Sequence, residues 1–442
     1  MRPTGTGAEP QGFDVQIESL SPEGRGVARL DGKVVFIADA LPGEEVRFCY
    51  TRRRGRFDEG RLLEVLRPSP HRVEPRCDHF GVCGGCVLQH LDTDEQIRLK
   101  QGILLESLQH IGGVMPESVL APLRAASWGY RRKARLGVRF VRKKQRVLVG
   151  FRERQSRYLA DLRQCEVLHP SVGRHLAALG ELIQGLSCYD RIAQVEVAVS
   201  DEETALVFRN LAPLSSADQL QLQEFARRYS VHIFLQPGGP DSVEALAGQT
   251  ELLSYALPDF ELELFFRPTD FTQVNSDLNR QMVARAIELL EPGAEDSVLE
   301  LFCGIGNFSL PISRHVASVV AIEGAAGLVE RARSNARHNG IGNVEFHVAN
   351  LAEDSGTQPW LRGRSYSRVL LDPPRSGAPE MIGTLAAAAP RRIVYVSCNP
   401  ATLARDAGEL VNRHGYRLEA AGVMDMFPHT AHVESIACFV AN

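Results

Sequence analysis

Glu300-Leu301-Phe302-Cys303-Gly304-Ile305-Gly306-Asn307-Phe308 carries the chain from a run of strand formers into a helix, through two glycines. Glycine lets a ligand approach the backbone where a side chain would block it. Outward from this loop, strands and helices alternate. SDLNRQMVARAIELL (276–290) reads as a helix after Asn275 and leads to the strand SVLELF (297–302). Beyond the loop follow VASVVAIE (316–323), a helix from Ala326 to Asn339, NVEFHVA (343–349), SRVLLD (367–372), a helix, and RRIVYVSC (391–398). Strands separated by helices of this length require a parallel sheet covered on both faces. The pattern predicts a Rossmann-like, doubly wound α/β domain, with SIACFV (435–440) as an extra closing strand.

The loop also narrows the ligand. A dinucleotide fingerprint would place a third glycine at 309, where Ser309 stands, so a dehydrogenase is disfavoured. Glu323, at the end of the second strand, is placed to accept hydrogen bonds from ribose hydroxyls, and Asn350 and Asp372 close the next two strands. Ligands of open α/β sheets bind at strand carboxyl ends. Acid-Leu-Phe-Cys-Gly-x-Gly followed by an acidic strand end has the form of an S-adenosylmethionine pocket.

Two further blocks precede this domain. From Phe13 to about Leu66, five short alternating segments (DVQIESL, GVARL, KVVFIAD, EEVRFCY and GRLLEVL) are separated by turn signals, which predicts a small OB-like β-barrel. Pro68, Pro70 and Pro75 make a linker. The middle block mixes helices (KQGILLESLQHI, and LSSADQLQLQEFARRYS capped by Ser215 or Ser216) with strands (ARLGVRFV, RVLVGF, AQVEVAVS). The domains expected are 8–67, 76–265 and 266–442.

A net charge of −4 conceals two basic stretches. Residues 124–163 hold fourteen Lys/Arg against two Asp/Glu, and residues 47–76 hold nine Arg against four acids. Binding to phosphates needs local rather than global positive charge. Trp128, Tyr130, Phe140, Phe151 and Tyr158 are interleaved with the first stretch, as base stacking would require; the alternative is a solvated strand face over ordinary core aromatics. No apolar run approaches the roughly 20 residues of a membrane helix, and Met1–Gly12 has no secretory signal. A cytoplasmic chain with no membrane and no obligatory protein partner is expected.

Ser397-Cys398-Asn399-Pro400 follows one parallel strand and Asp372-Pro373-Pro374-Arg375 its neighbour, both at the end where a cofactor's reactive group would point. A strand-end cysteine is commonly a buried small hydrophobe, but these neighbours favour a nucleophile. A thiolate added to carbon 6 of uracil makes carbon 5 nucleophilic, and a base must then remove the carbon-5 proton. Cys398 is the candidate thiolate and Glu434, in Phe427-Pro428-His429-Thr430-Ala431-His432-Val433-Glu434, the candidate base. Cys303 and His432 are weaker alternatives.

Cys77, Cys83 and Cys86, in CDHFGVCGGC, have the density of metal ligands. Cys165 is the best distant fourth, ahead of Cys49 and Cys188. Four thiolates suit zinc or an iron–sulfur cluster, and His79 and His90 keep a mixed zinc site open.

Taken together, CDHFGVCGGC, WGYRRKARL, FTQVN, ELFCGIGNF, LLDPPRSG, VYVSCNPATLARD and FPHTAHVES span nearly the whole chain. In this combination the sequence resembles the bacterial 23S rRNA (uracil-C5) methyltransferases that carry an N-terminal TRAM domain. Motif order and loop lengths look most like members that make 5-methyluridine at position 1939. The resemblance implies an RNA-binding TRAM barrel at 8–67, a central α+β iron–sulfur domain at 76–265 and a methyltransferase domain at 266–442. It implies a [4Fe–4S] cluster on Cys77, Cys83, Cys86 and Cys165, and S-adenosylmethionine contacts from Gln273, Phe302, Asn307, Glu323, Asn350 and Asp372. Cys398 matches the family nucleophile, Glu434 the proton-abstracting base, and 23S rRNA is the implied partner. The alternatives are a methyltransferase for another rRNA or tRNA uridine, a cytosine-C5 enzyme (disfavoured by Pro374, where that family has a second cysteine), and a redox or RNA-binding protein with a vestigial methyltransferase fold.

Overall fold

The computed structural model describes residues 11–246, 252–352 and 358–442. They form two compact units. One comprises the residues up to Leu99 together with Pro428–His432, the other Lys100–Phe427 with Val433–Asn442. The expected start of the barrel at residue 8 lies outside the described residues.

In the first unit a six-stranded sheet runs in the order Phe13–Gln16, Glu45–Arg53, Phe57–Arg67, Lys33–Ala38, Gly26–Leu30, Ser19–Leu20. Six strands replace the five expected, because DVQIESL divides between two partners. Phe13–Gln16 pairs with Glu45–Phe48, and Ser19–Leu20 then pairs with Gly26–Val27. Both ends of the row are therefore one continuous stretch, and the sheet closes on itself. Val15, Ile17, Ala28, Val35, Ile37, Val46 and Phe48 fill its interior at the alternate positions a strand's two-residue period dictates. Below it, the buried Glu44 carboxylate accepts from Leu41 and Ser69 N–H and from Arg72, at 2.6 and 2.8 Å. Burial pushes its pKa up, but these four donors more than offset that and hold it below the ordinary value.

In the second unit, a six-stranded sheet of the order Glu244–Ala245, His232–Leu235, Thr204–Asn210, Ile192–Val199, Lys133–Val141, Arg146–Gly150 is backed by the helices Leu176–Gly185 and Ser216–Tyr229. Ser215 caps the latter in a reciprocal box with Asp218. The aromatic residues of the basic stretch do not form one stacking platform. Tyr130 is buried, Phe140 packs edge-on against Tyr189, and Phe151 lies under Arg131, whereas Tyr158 is exposed. Strand hydrophobics of the middle block, among them Ala198, Val207 and Phe234, share one continuous core with the downstream domain.

That downstream domain is built on an eight-stranded sheet: Val344–Val348, Ser318–Glu323, Ser297–Leu301, Arg368–Leu371, Arg392–Ser397, Glu434–Ala441, Tyr416–Met424, Ser118–Val119. Its first five strands are parallel, as expected. Glu434–Ala441 then enters antiparallel, between Arg392–Ser397 and a strand the sequence reading missed, Tyr416–Met424. The strand order reverses at Ser297–Leu301, whose neighbours Ser318–Glu323 and Arg368–Leu371 lie on opposite sides. A crevice opens beyond the carboxyl ends of strands at such a switch point. Among the described residues, no helix is long and apolar enough to cross a membrane.

Candidate active site

The site starts at the switch point. Phe302 leaves the first strand with φ +66°, a conformation costly for a side-chain-bearing residue, and Gly304 and Gly306 follow at +55° and +95°. A Cβ on Gly304 would meet nothing within 4 Å, so space lies open against the loop. Glu323, from the next strand, accepts from the N–H groups of Gly304 (3.1 Å) and Ala325 (2.9 Å), fixing the loop to the strand end. Asn350, after the third strand, is exposed, and its side-chain oxygen accepts from Ala352 N–H at 3.1 Å.

Asn307 faces a network absent from the sequence reading. Its Oδ1 accepts from Tyr255 O–H (2.8 Å) and Asn279 Nδ2 (2.9 Å), while its Nδ2 donates back to Asn279 Oδ1 (2.9 Å). One amide N–H of Asn307 remains for a ligand. Gln273 lines the same small cavity as Tyr255 and Asn279, together with Arg132 and Ser276. Tyr255 and Asn279 come from a strand and a helix far apart in sequence, so only the fold could bring them to Asn307.

Burial raises two carboxyls of the pocket well above the ordinary carboxylate range. Glu300 is fully buried, with Oε2 bonded by Ser309 and Oε1 without a partner; burial first, then Asp372 and Glu323, push it up to about 8. Burial raises Asp372 to about 7. Cys303, buried beside Glu300 and Glu323, is pushed well above the ordinary thiol value, which argues against it as a nucleophile. A bound cation would relieve this repulsion and draw the carboxyls into their charged form. The open space at Gly304 and the orphaned Glu300 oxygen fit a ligand carrying a sulfonium centre.

Cys398 and Glu434 meet through strand register. Arg392–Ser397 and Glu434–Ala441 are antiparallel partners with Ser397 opposite Ser435. The ladder stops there, one residue short of both Cys398 and Glu434, and Glu434 is the charged group that most raises the Cys398 thiol. Asn399 caps the following helix, Pro400–His414, through Ala401 N–H, and its Nδ2 donates to the Arg375 carbonyl at 3.0 Å. Thr402 donates to the same carbonyl, and Arg405 to that of Ser376. The helix thereby clamps the Asp372–Arg375 loop beside the cysteine. Burial, Glu434 and Asp372 raise the Cys398 thiol to about 11, against the guanidinium of Arg375. Burial and Asp372 raise Glu434, only 4% exposed, to about 8, against Arg375 and Lys100. His432 is exposed, and His429 is engaged with Gln96, so neither histidine replaces Glu434 as a buried base.

The cysteine cluster receives no comparable support. Cys77, Cys83 and Cys86 lie in the irregular stretch between Arg67 and Thr93 of the first unit, where Gly85 N–H donates to the Cys83 sulfur at 3.4 Å, and Cys165 lies in the second unit. Among the described residues, no group of three or more His, Cys, Asp or Glu side chains is gathered as a metal site.

With this geometry in hand, the chain was compared with known proteins. A family model described as tRNA (Uracil-5-)-methyltransferase matches residues 249–440, and a TRAM domain model matches residues 11–47. The 23S rRNA (uracil(1939)-C(5))-methyltransferase RlmD of Alkalilimnicola ehrlichii is 56% identical over 97% of this chain and 96% of its own length. The protein of that name from Nitrosococcus oceani is 58% identical over 98% of this chain and 96% of its own. Among solved structures, the Pyrococcus abyssi tRNA (uracil-54, C5)-methyltransferase in complex with S-adenosyl-L-homocysteine superposes with a TM-score of 0.74 at 25% identity, covering 97% of this chain and 99% of that one.

Proposed function

The chain belongs to the family of 23S rRNA (uracil(1939)-C(5))-methyltransferases, and from that premise we propose that Cys398 and Glu434 are its nucleophile and base. The chain transfers a methyl group from S-adenosylmethionine to carbon 5 of uridine 1939 in 23S rRNA, giving 5-methyluridine. Carbon 5 of uracil is too weakly nucleophilic to be methylated unaided. The Cys398 sulfur adds to carbon 6, forming an S–C6 bond and an enolate whose carbon 5 can attack. Gln273, Phe302, Asn307, Glu323, Asn350 and Asp372 would hold S-adenosylmethionine, which would supply the electrophilic methyl group, the S–CH3 electron pair staying on sulfur as S-adenosylhomocysteine departs. Glu434 then takes the carbon-5 proton, and the C6–S electron pair returns to sulfur as the bond breaks.

The observation that supports this reading is the ladder that ends with Ser397 paired to Ser435, one residue short of both Cys398 and Glu434, together with the influence of Glu434 on the Cys398 thiol. Glu434's burial supports its role, because a base shielded from water neither leaks protons nor competes with solvent. Cys398→Ala should abolish both methylation and the covalent RNA–protein adduct; methyl transfer by that variant would overturn the mechanism.

The barrel and the basic stretch 124–163 are assigned to rRNA binding in the cytoplasm, within the division 8–67, 76–265 and 266–442. Cys77, Cys83, Cys86 and Cys165 are assigned a [4Fe–4S] cluster. Supporting this are the all-thiol donor set and the Gly85 N–H on the Cys83 sulfur, a bond that tunes a cluster thiolate. Anaerobically purified chain should contain iron and inorganic sulfide in equal amounts, and Cys83→Ser should lose both. Chain purified without either would remove the cluster while leaving the methyl-transfer chemistry intact.

A further inference from the structure

We propose that Lys100 is a positioning residue for the base: its buried ammonium, anchored on Asp425, supplies the positive charge that favours the carboxylate form of Glu434. The inference rests on the reading of Glu434 as the base.

Lys100 lies on the helix Thr93–Ser107 and is 1% exposed. A fully buried lysine is costly unless something holds its charge. Its Nζ donates to Asp425 Oδ1 at 2.6 Å and to the Phe427 carbonyl at 2.9 Å. Asp425 is itself buried, and its backbone N–H is held by the Leu123 carbonyl. It directly follows the strand Tyr416–Met424, in which Met424 stands opposite Glu434. The ammonium is therefore fixed at the end of the ladder where the base begins its strand.

Four groups on other elements act on Glu434. Asp372 and Arg375 reach it from the loop after Arg368–Leu371, Cys398 from the end of Arg392–Ser397, and Lys100 from its helix. Asp372 disfavours a second negative charge. Arg375 is exposed, so water screens its cation. Lys100 is the fully buried cation among them, and its charge acts through a low-dielectric interior. Burial pushes the ammonium toward neutrality, while Asp425 and Glu434 hold it charged.

The test uses the full-length chain and an rRNA fragment containing uridine 1939, with breakdown of the methylated covalent adduct followed against pH. Lys100→Met removes the cation, so the profile should move to higher pH by about one unit, with breakdown slowed on the order of tenfold at pH 7. Asp425→Asn removes the anion that holds the buried ammonium charged, so the profile should move to higher pH as in Lys100→Met. Lys100→Arg should return it toward wild type. A purely structural role lowers amplitude or melting temperature without displacing the midpoint. Midpoints unmoved in both variants would overturn the proposal. If Lys100→Met fails to fold, the sign of the Asp425→Asn shift decides alone. Glu434→Gln is run alongside. If it traps adduct while the other midpoints stay fixed, only Lys100 loses its role; if it turns over without adduct, the base itself is misassigned.

Discussion

Replacing Glu434 by Gln gives the sharpest test, because the surroundings of this residue set both a rate and a titration. The carboxyl is 4% exposed, and burial with Asp372 lifts it to about 8. At pH 7 roughly one-tenth of it is charged and at pH 9 roughly nine-tenths, so breakdown of the wild-type methylated adduct should speed up about tenfold between them. The adduct is preformed and isolated before the pH jump, so titration of Cys398, which governs its formation, does not enter. In Glu434→Gln the breakdown should slow by about 10²–10⁴-fold, and adduct resistant to denaturation should accumulate. Stability should move too. A carboxyl with a folded-state pKa above its unfolded value favours folding fully below about 4.5 and loses that contribution as pH rises through about 8. Glutamine does not titrate, so the variant should melt above wild type at pH 8.5 and show no such advantage at pH 5. A variant that releases product at the wild-type rate, or a wild-type profile flat from pH 6.5 to 9, would refute the reasoning.

Three other perturbations probe the surrounding frame. Asn279→Ala removes two of the three bonds that orient the Asn307 amide and leaves that from Tyr255, so the KM for S-adenosylmethionine should rise by about tenfold with kcat less affected, measured by methyl incorporation at saturating rRNA. Gly306→Ala places a Cβ 3.0 Å from Leu310 Cγ at φ +95°; thermal denaturation should show a loss of about 1–3 kcal/mol together with weakened cofactor binding. Arg72→Met strands the buried Glu44 carboxylate and should cost about 3–5 kcal/mol in denaturant unfolding of the barrel unit at pH 7. In wild type that pair contributes above the unfolded carboxyl pKa and is lost as pH falls, whereas the variant should recover relative stability on acidification.

Which of these features could be seen in the sequence depends on how local their physics is. The glycine loop, the parallel strands and the acidic strand ends are written in consecutive residues, and all three stand where expected. Cys398 and Glu434 could be picked out singly, but their pairing needed the antiparallel entry of the last strand, a matter of register. Tyr416–Met424 escaped notice because its Ala420-Ala421-Gly422 centre carries little strand signal, although Tyr416, Leu418 and Ala420 alternate as a half-buried strand should. Tyr255, Asn279 and Lys100 act on partners 28 to 325 residues away, and no spacing rule reaches that far. For the aromatics of the basic stretch the sequence left base stacking and core packing open, and Tyr130 is buried, because charge in the neighbouring residues does not say which aromatic turns inward.

The strand Glu434–Ala441 lies between two strands that both precede it in the chain. While the polypeptide is being made, Arg392–Ser397 and Tyr416–Met424 must each wait with an unpaired edge, and exposed edges invite wrong partners. Pairing of this late segment is thus the closing event of the sheet, and its first residue is the one proposed as proton acceptor. On that assignment, chains caught before the event have the proposed nucleophile but no base to resolve an adduct. Completion of the fold and competence for turnover are therefore reached in the same step.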